Sequence, residues 1–207
     1  MTNSAPSTMQ LYGVPLSGHV HRVQLFLGLL GLPYEFVTAD QTLRKTPEFL
    51  ALNPLGEIPV LRDGDVVIAD STAILVYLAL KYDASGQWLP REPVAAAKVQ
   101  QWLSHASGKI AYGPASARMV KLFKAPLDLE RAKAIATRLF NVLDPELKGR
   151  EFVLGAQPTI ADIAAFSYIE RAPEGEISLD AYPNICAWLA RVRALPGFVP
   201  MPASNVN

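Results

Sequence analysis

With 207 residues, half of them apolar, the chain can bury a sizeable core in one or two domains. Its 19 basic and 19 acidic side chains cancel, leaving neither the basic footprint of a nucleic-acid binder nor a like-charge run suited to a membrane surface. The longest apolar stretch, residues 23–30, is interrupted by Gln24 and too short to span a bilayer. The first ten residues lack the basic and apolar regions of a secretion signal, and one cysteine excludes an internal disulfide and a cysteine-based metal site. A cytosolic protein without bound metal is expected.

Residues 1–8 read as a disordered tail. Residues 9–14 read as a strand broken by Pro15, after which Ser17 and Gly18 open a helix. Val20, Val23, Leu27 and Leu30 recur on one face of it, Gly31 caps it and Pro33 prevents its resumption. His19 and His21, in its first turn, read as surface side chains. Residues 34–38 give a second strand, so the chain opens with a βαβ unit whose strands are parallel. A helix over residues 47–52 is followed by the turn sequence Asn53-Pro54-Leu55-Gly56. Two strands, 59–61 and 66–69, flank the hairpin signal Asp63-Gly64. Asp70 and Ser71 then start a helix reaching residue 82. The order βαβαββα is that of the thioredoxin fold, and residues 9–83 are expected to form one such α/β domain.

Residues 84–93, with Ser85, Gly86, Pro90 and Pro93, read as a linker. Residues 94–200 read as an all-α domain, with helices at 94–111, 127–147, 160–168 and 182–195. A kink is expected near Ala106-Ser107-Gly108 and Tyr112-Gly113-Pro114. Residues 201–207 read as a tail with little to pack. Thr159 and Asp162 form a capping box, with Pro158 and Ile163 at the positions of a hydrophobic staple. Cys186, among Ile185, Trp188 and Leu189 in a helical pattern, reads as a small buried apolar residue. His105 and Lys109 share a helix face, and no role follows for them.

Leu11-Tyr12, Ser17-Gly18, Asn53-Pro54-Leu55-Gly56-Glu57-Ile58-Pro59, Asp70-Ser71 and Pro158-Thr159-Ile160-Ala161-Asp162, in that order and spacing, resemble the successive signatures of cytosolic glutathione transferases of the serine type. The resemblance spans residues 9–200. It implies a bacterial-like enzyme and a homodimer, with glutathione as cosubstrate and no tightly bound cofactor or metal. The activity implied is attack of the glutathione thiolate on an apolar electrophile. Reduction of disulfides or peroxides with two glutathiones, and a non-catalytic interaction module on the same fold, are the alternatives.

Ser17 lies where a strand meets a helix N-terminus, a place that favours an anion, and the resemblance gives its hydroxyl to the glutathione thiolate. Lowering a free thiol's pKa by about 2 units takes roughly 2.7 kcal/mol. A hydrogen bond to a charged group supplies about 1.5–3 kcal/mol and a helix N-terminus about 0.3–1 more. An ordinary serine cap is the competing reading, and Tyr12 is a rival hydroxyl. The resemblance implies a cis Ile58–Pro59 bond whose residue 58 offers backbone groups to the cysteinyl part of glutathione. It implies Asp70 and Ser71 at the γ-glutamyl end, and Arg44 and Lys45 at the glycine carboxylate. Gly56 departs from classes that place a basic residue there, and Glu57 is an acid near an anionic peptide. Leu16, Tyr112 and Tyr168 are the candidates for a second-substrate pocket between the domains.

Overall fold

A computed structural model of the chain describes residues 9–204; the tail expected at residues 1–8 lies outside them, as do the last three residues of the one expected at 201–207. In chain order the first domain comprises β1 (Gln10–Gly13), α1 (Gly18–Leu29), β2 (Glu35–Thr38), a 3-10 turn (Leu43–Lys45), α2 (Pro47–Leu52), β3 (Val60–Asp63), β4 (Val66–Ala69) and α3 (Ser71–Tyr82). The four strands form one sheet in the order β2-β1-β3-β4, with β1 and β2 parallel and the other pairs antiparallel. β3 begins one residue after Pro59, which has no N–H to give to the ladder. Val60 pairs with Tyr12 on one side and Ala69 on the other. That register brings the end of β1, the start of β3 and the end of β4 to one edge of the sheet. The loops carrying Ser17, Ile58-Pro59 and Asp70-Ser71 therefore converge there.

The helical domain comprises α4 (Pro93–His105), a π-helical segment (Ala106–Ala115), α5 (Ser116–Phe123), α6 (Leu129–Glu146), α7 (Ile160–Glu170), a 3-10 turn (Ala172–Gly175) and α8 (Pro183–Arg193). The break expected after residue 111 is a bend within a longer helical run. Gly113 takes non-helical angles (φ −96°, ψ −106°), Pro114 follows it, and the chain resumes as α5, a helix that the sequence pattern did not announce. α7 is buried from Ile160 to Ile169 and packs against α1, α3 and α4, so it is the common core element of both domains. The linker is fixed on the same core: the Trp88 ring meets Phe26 edge-on at 5.2 Å, and its carbonyl accepts the N–H of Ile160 at 2.9 Å.

Three side chains depart from the sequence reading. His21 is fully buried rather than on the surface. The helix carrying it is sandwiched between α3 and α7, and its imidazole pairs with Ser167 Oγ and the Val199 carbonyl, each at 2.8 Å. Because a carbonyl only accepts, Nε2 carries the proton and Nδ1 accepts from Ser167. Cys186 is exposed, because Ile185, Trp188 and Leu189 take the inward face of α8. Met201, inside the expected tail, is 2% exposed, and its carbonyl is held by Arg171. The segment after α8 thus returns across α1 and is part of the domain interface.

Candidate active site

Ser17 caps α1. Its backbone is extended (φ −83°, ψ 118°), and its Oγ accepts the N–H of Val20 at 3.3 Å. The cap uses a lone pair only, so the half-buried hydroxyl keeps its proton free to donate. Capping and thiolate binding, which compete as readings of the sequence, are compatible in the geometry. Gly18 follows because Tyr168 lies against it: a Cβ at residue 18 would stand 2.6 Å from the tyrosine ring. Leu16 is fixed from the other domain. Arg118 of α5, itself 1% exposed, donates from NH1 to the Leu16 carbonyl at 2.7 Å and pairs through Nε with Glu174. Tyr12 takes no part in this turn; its hydroxyl donates back along β1 to Gln10 Oε1 at 3.1 Å.

The Ile58–Pro59 bond is cis. Asn53, 6% exposed, braces the loop before it, donating to the Glu57 carbonyl at 2.9 Å and accepting from Leu55 N–H at 3.2 Å. Glu57 itself points to solvent. Arg44 and Lys45 border a shallow cavity of about 480 Å³ with Gln41, Leu50, Leu55 and Gly56. Gly56 has φ +64°, and a Cβ there would meet the Arg44 carbonyl at 3.2 Å, so the floor of this cavity calls for glycine.

Asp70 caps α3 with φ +72° and ψ 124°, a conformation costing a non-glycine residue about 1–3 kcal/mol. Its Oδ1 accepts from Thr72 N at 2.8 Å, Ala73 N at 2.9 Å and the Thr72 hydroxyl. Partial burial pushes its carboxyl up, but these bonds and the charge of Arg22 outweigh it and hold the pKa below the usual carboxylate range. Ser71, 3% exposed, is reached by two side chains of α1. Arg22 NH1 donates to its Oγ at 3.1 Å, and His19 Nδ1 lies 3.5 Å away. Burial and the neighbouring Arg22 push His19 down to about 3, so its ring is neutral. The Tyr168 ring stands over both, 5.0 Å from His19 and 5.8 Å from the Arg22 guanidinium carbon.

Leu16 and Tyr168 therefore meet the same turn as Ser17. Tyr112 lies elsewhere: it is 67% exposed and lines a groove of about 1100 Å³ between α4 and α6, with Trp102, His105, Lys109, Arg138 and Val142. Thr159 and Asp162 are structural. Thr159 Oγ1 accepts from Ala161 N, and Asp162 accepts from Thr159 N, Val153 N and Trp188 Nε1, each at 2.9 Å. Arg22 and Arg118 were not singled out in the sequence, and Asn53 entered it only as the first residue of a turn. A basic residue one turn beyond a candidate serine was the only signal, and it reads as an ordinary helix surface.

The family models for the glutathione S-transferase N-terminal and C-terminal domains match residues 11–86 and 108–196. Glutathione S-transferase 3 of Zea mays is 36% identical over 203 residues, covering 92% of this chain and 91% of that protein. The crystal structure of a glutathione S-transferase from Pseudomonas fluorescens superposes with a TM-score of 0.87 at 34% identity, over 94% of this chain and 99% of the other. A glutathione transferase family member from the same species, solved with two glutathiones bound, gives 0.80 at 32% identity, over 93% and 91% of the two chains. With both domain models matched in sequence order, and with relatives this similar along nearly their whole length, the chain belongs to the glutathione S-transferase family.

Proposed function

We propose that the protein is a glutathione transferase in which Ser17 holds the glutathione sulfur as thiolate for attack on an apolar electrophile. The observation that carries this reading is the Ser17 hydroxyl, free to donate at the N-terminus of α1 and at the edge of the sheet where the cis Ile58–Pro59 bond and the N-terminus of α3 converge. In this reading the cysteinyl part of glutathione lies along Ile58 and Pro59 in the manner of an added strand. The γ-glutamyl end sits at Asp70 and Ser71, and the glycine carboxylate reaches Arg44 and Lys45. The thiol loses its proton to solvent. The thiolate then forms a bond to the electrophile, whose leaving group or π-electron pair takes up the charge.

The electrophile needs apolar surface beside Ser17. Leu16 supplies part of it. Met119 and Phe123, 40% and 48% exposed on the helix whose Arg118 reaches Leu16, supply more. The protein acts in the cytosol as a homodimer in this account; no helix among the described residues is long and apolar enough to cross a membrane.

Removing the Ser17 hydroxyl tests the reading. Ser17→Ala is expected to lower kcat/KM for a chlorinated nitroaromatic substrate at pH 7 by roughly 3- to 25-fold, the loss of thiolate when a thiol pKa of about 6.5 rises by about 1–2 units. Glutathione binding by calorimetry should change little. Full activity in Ser17→Ala would remove the residue from the chemistry. A second reading, reduction of a disulfide by two glutathiones, is favoured by the relative that holds two. Turnover of a glutathione mixed disulfide faster than conjugation would support it.

A further inference from the structure

The peptide unit between Leu16 and Ser17 is held at both edges. Its N–H donates to the Val14 carbonyl at 3.1 Å, within the turn that follows β1. Its carbonyl accepts from Arg118 NH1 at 2.7 Å, across the domain interface. A peptide unit is planar, so bonds at opposite edges fix its rotation, and with it the φ of −83° at Ser17. Arg118 is itself held in place. It is 1% exposed, its Nε pairs with Glu174, and its guanidinium carbon stands 6.0 Å from the Phe123 ring. Backbone packing brings Glu174 there. The 3-10 turn Ala172–Gly175 lies so close to α5 that a Cβ on Gly175 would stand 2.8 Å from the Arg118 backbone nitrogen. Glu174 also pairs with Arg171, whose guanidinium holds the Met201 carbonyl. Arg118 and Glu174 are neutral as a pair, so together they supply position rather than net charge.

We propose that Arg118 is a positioning residue for Ser17: by fixing the Leu16 carbonyl from the helical domain, it holds the Ser17 hydroxyl where its proton meets the glutathione sulfur. The inference rests on the reading of Ser17 as the group that keeps that sulfur as thiolate. On its helical side Ser17 is fixed by α1, its Oγ accepting from Val20 N–H at 3.3 Å and its carbonyl from His21 N–H at 2.9 Å. On the other side the turn is weakly determined by itself. Pro15 has no N–H to give, so without Arg118 the Leu16–Ser17 unit keeps only its bond to Val14. The unit can then rotate and carry the Ser17 side chain with it. A hydrogen bond weakens steeply as its angle opens, and a displacement well under about 1 Å is enough to matter at a reacting atom. Arg118 thus sets the acidity of the bound thiol through Ser17, without touching the sulfur.

Thiolate titrations of bound glutathione by ultraviolet difference, on the whole protein, Arg118→Met, Ser17→Ala and the double variant, test this. In Arg118→Met the thiolate signal is expected to move up by about 1 pH unit, half of the roughly 2 units assigned to Ser17. In the Ser17→Ala background the same substitution should move it by less than about 0.3 unit, because no hydroxyl is left to position. S-methylglutathione, which has no ionisable thiol, should bind Arg118→Met and the unsubstituted protein within a few-fold of each other by calorimetry. Should Arg118→Met not fold, Glu174→Gln carries the same comparison, since it keeps the side chain's size and removes the charge that orients the guanidinium. An unchanged thiol titration in the variant that folds would overturn the inference. So would a shift of equal size in the Ser17→Ala background, which would give Arg118 an electrostatic role of its own. A loss of S-methylglutathione affinity of about tenfold or more would mark a damaged site and overturn it as well. If the unsubstituted protein and Ser17→Ala titrate alike, the reading of Ser17 itself fails, and this inference with it.

Discussion

At residue scale, several side chains serve two partners at once. Ser17 uses a lone pair to cap α1 and keeps its proton for a ligand. Ser71 accepts from Arg22 and keeps its proton in the same way. Asp162 shows the opposite case, a side chain whose acceptors are spent on the fold. Fully buried, it receives the N–H groups of Thr159, Val153 and Trp188. A capping box alone sets the cost of losing it at about 1 kcal/mol. Three buried donors left without an acceptor raise that cost to about 3 kcal/mol or more. Asp162→Ala should therefore lower the melting temperature by roughly 10 °C, while the conjugation rate per folded molecule stays unchanged. A variant with normal melting and no activity would place Asp162 in the chemistry instead.

At the scale of elements, legibility followed local chemistry. The four strands, the hairpin at Gly64, the caps at Ser17, Asp70 and Thr159 and the bend at Gly113 all appear where glycine, proline and capping residues announced them. The strand bounds shifted by two residues at most: β3 starts one residue later, because Pro59 has no N–H for the ladder, and ends two residues later, at Asp63, while β4 lies where it was expected. The side chains on α1 were harder to read. A helix buried on one side shows a stripe of apolar residues, but α1 is covered by α3 and α7 as well as the sheet, so its polar residues are buried too. His21 reads as a surface side chain for that reason, and nothing in the sequence draws attention to Arg22. Arg118 was hidden differently: its partner, the Leu16 carbonyl, is a backbone group 102 residues away. Contacts of that kind leave no spacing in a sequence. The same holds for Cys186, whose position on α8 depends on which face α8 turns inward.

At the scale of the whole molecule, the two domains are joined through charged and polar groups as well as through α7. His21 links α1 to Ser167 and to the segment after α8, and Arg118 links α5 to the turn carrying Ser17. Burial keeps His21 neutral, outweighing the Val199 bond, and burial with Arg22 keeps His19 neutral. Both histidines therefore have folded pKa values below the unfolded value near 6.5. As pH falls through 6.5 the unfolded chain takes up protons that the folded chain refuses. Stability then declines toward acid, by up to about 1.4 kcal/mol per pH unit for each histidine. The depressed carboxylates Asp63, Asp70 and Asp83 add to this decline only as pH falls below about 4, through their folded pKa values. Urea denaturation between about pH 5 and pH 6.5 should therefore show a slope that is smaller in His21→Gln. An identical slope in the two proteins would mean that His21 titrates normally in the fold.

The central claim is that Ser17 holds glutathione as thiolate, and an ultraviolet difference titration of bound glutathione against pH tests it most directly. The account predicts a thiolate absorbance that appears about 2 pH units below the free thiol's pKa of roughly 8.5 in the wild type, and that moves back toward the free value in Ser17→Ala. The same low-pH signal surviving in Ser17→Ala would contradict the account and assign the stabilisation to the backbone N–H groups at the start of α1 or to Tyr12.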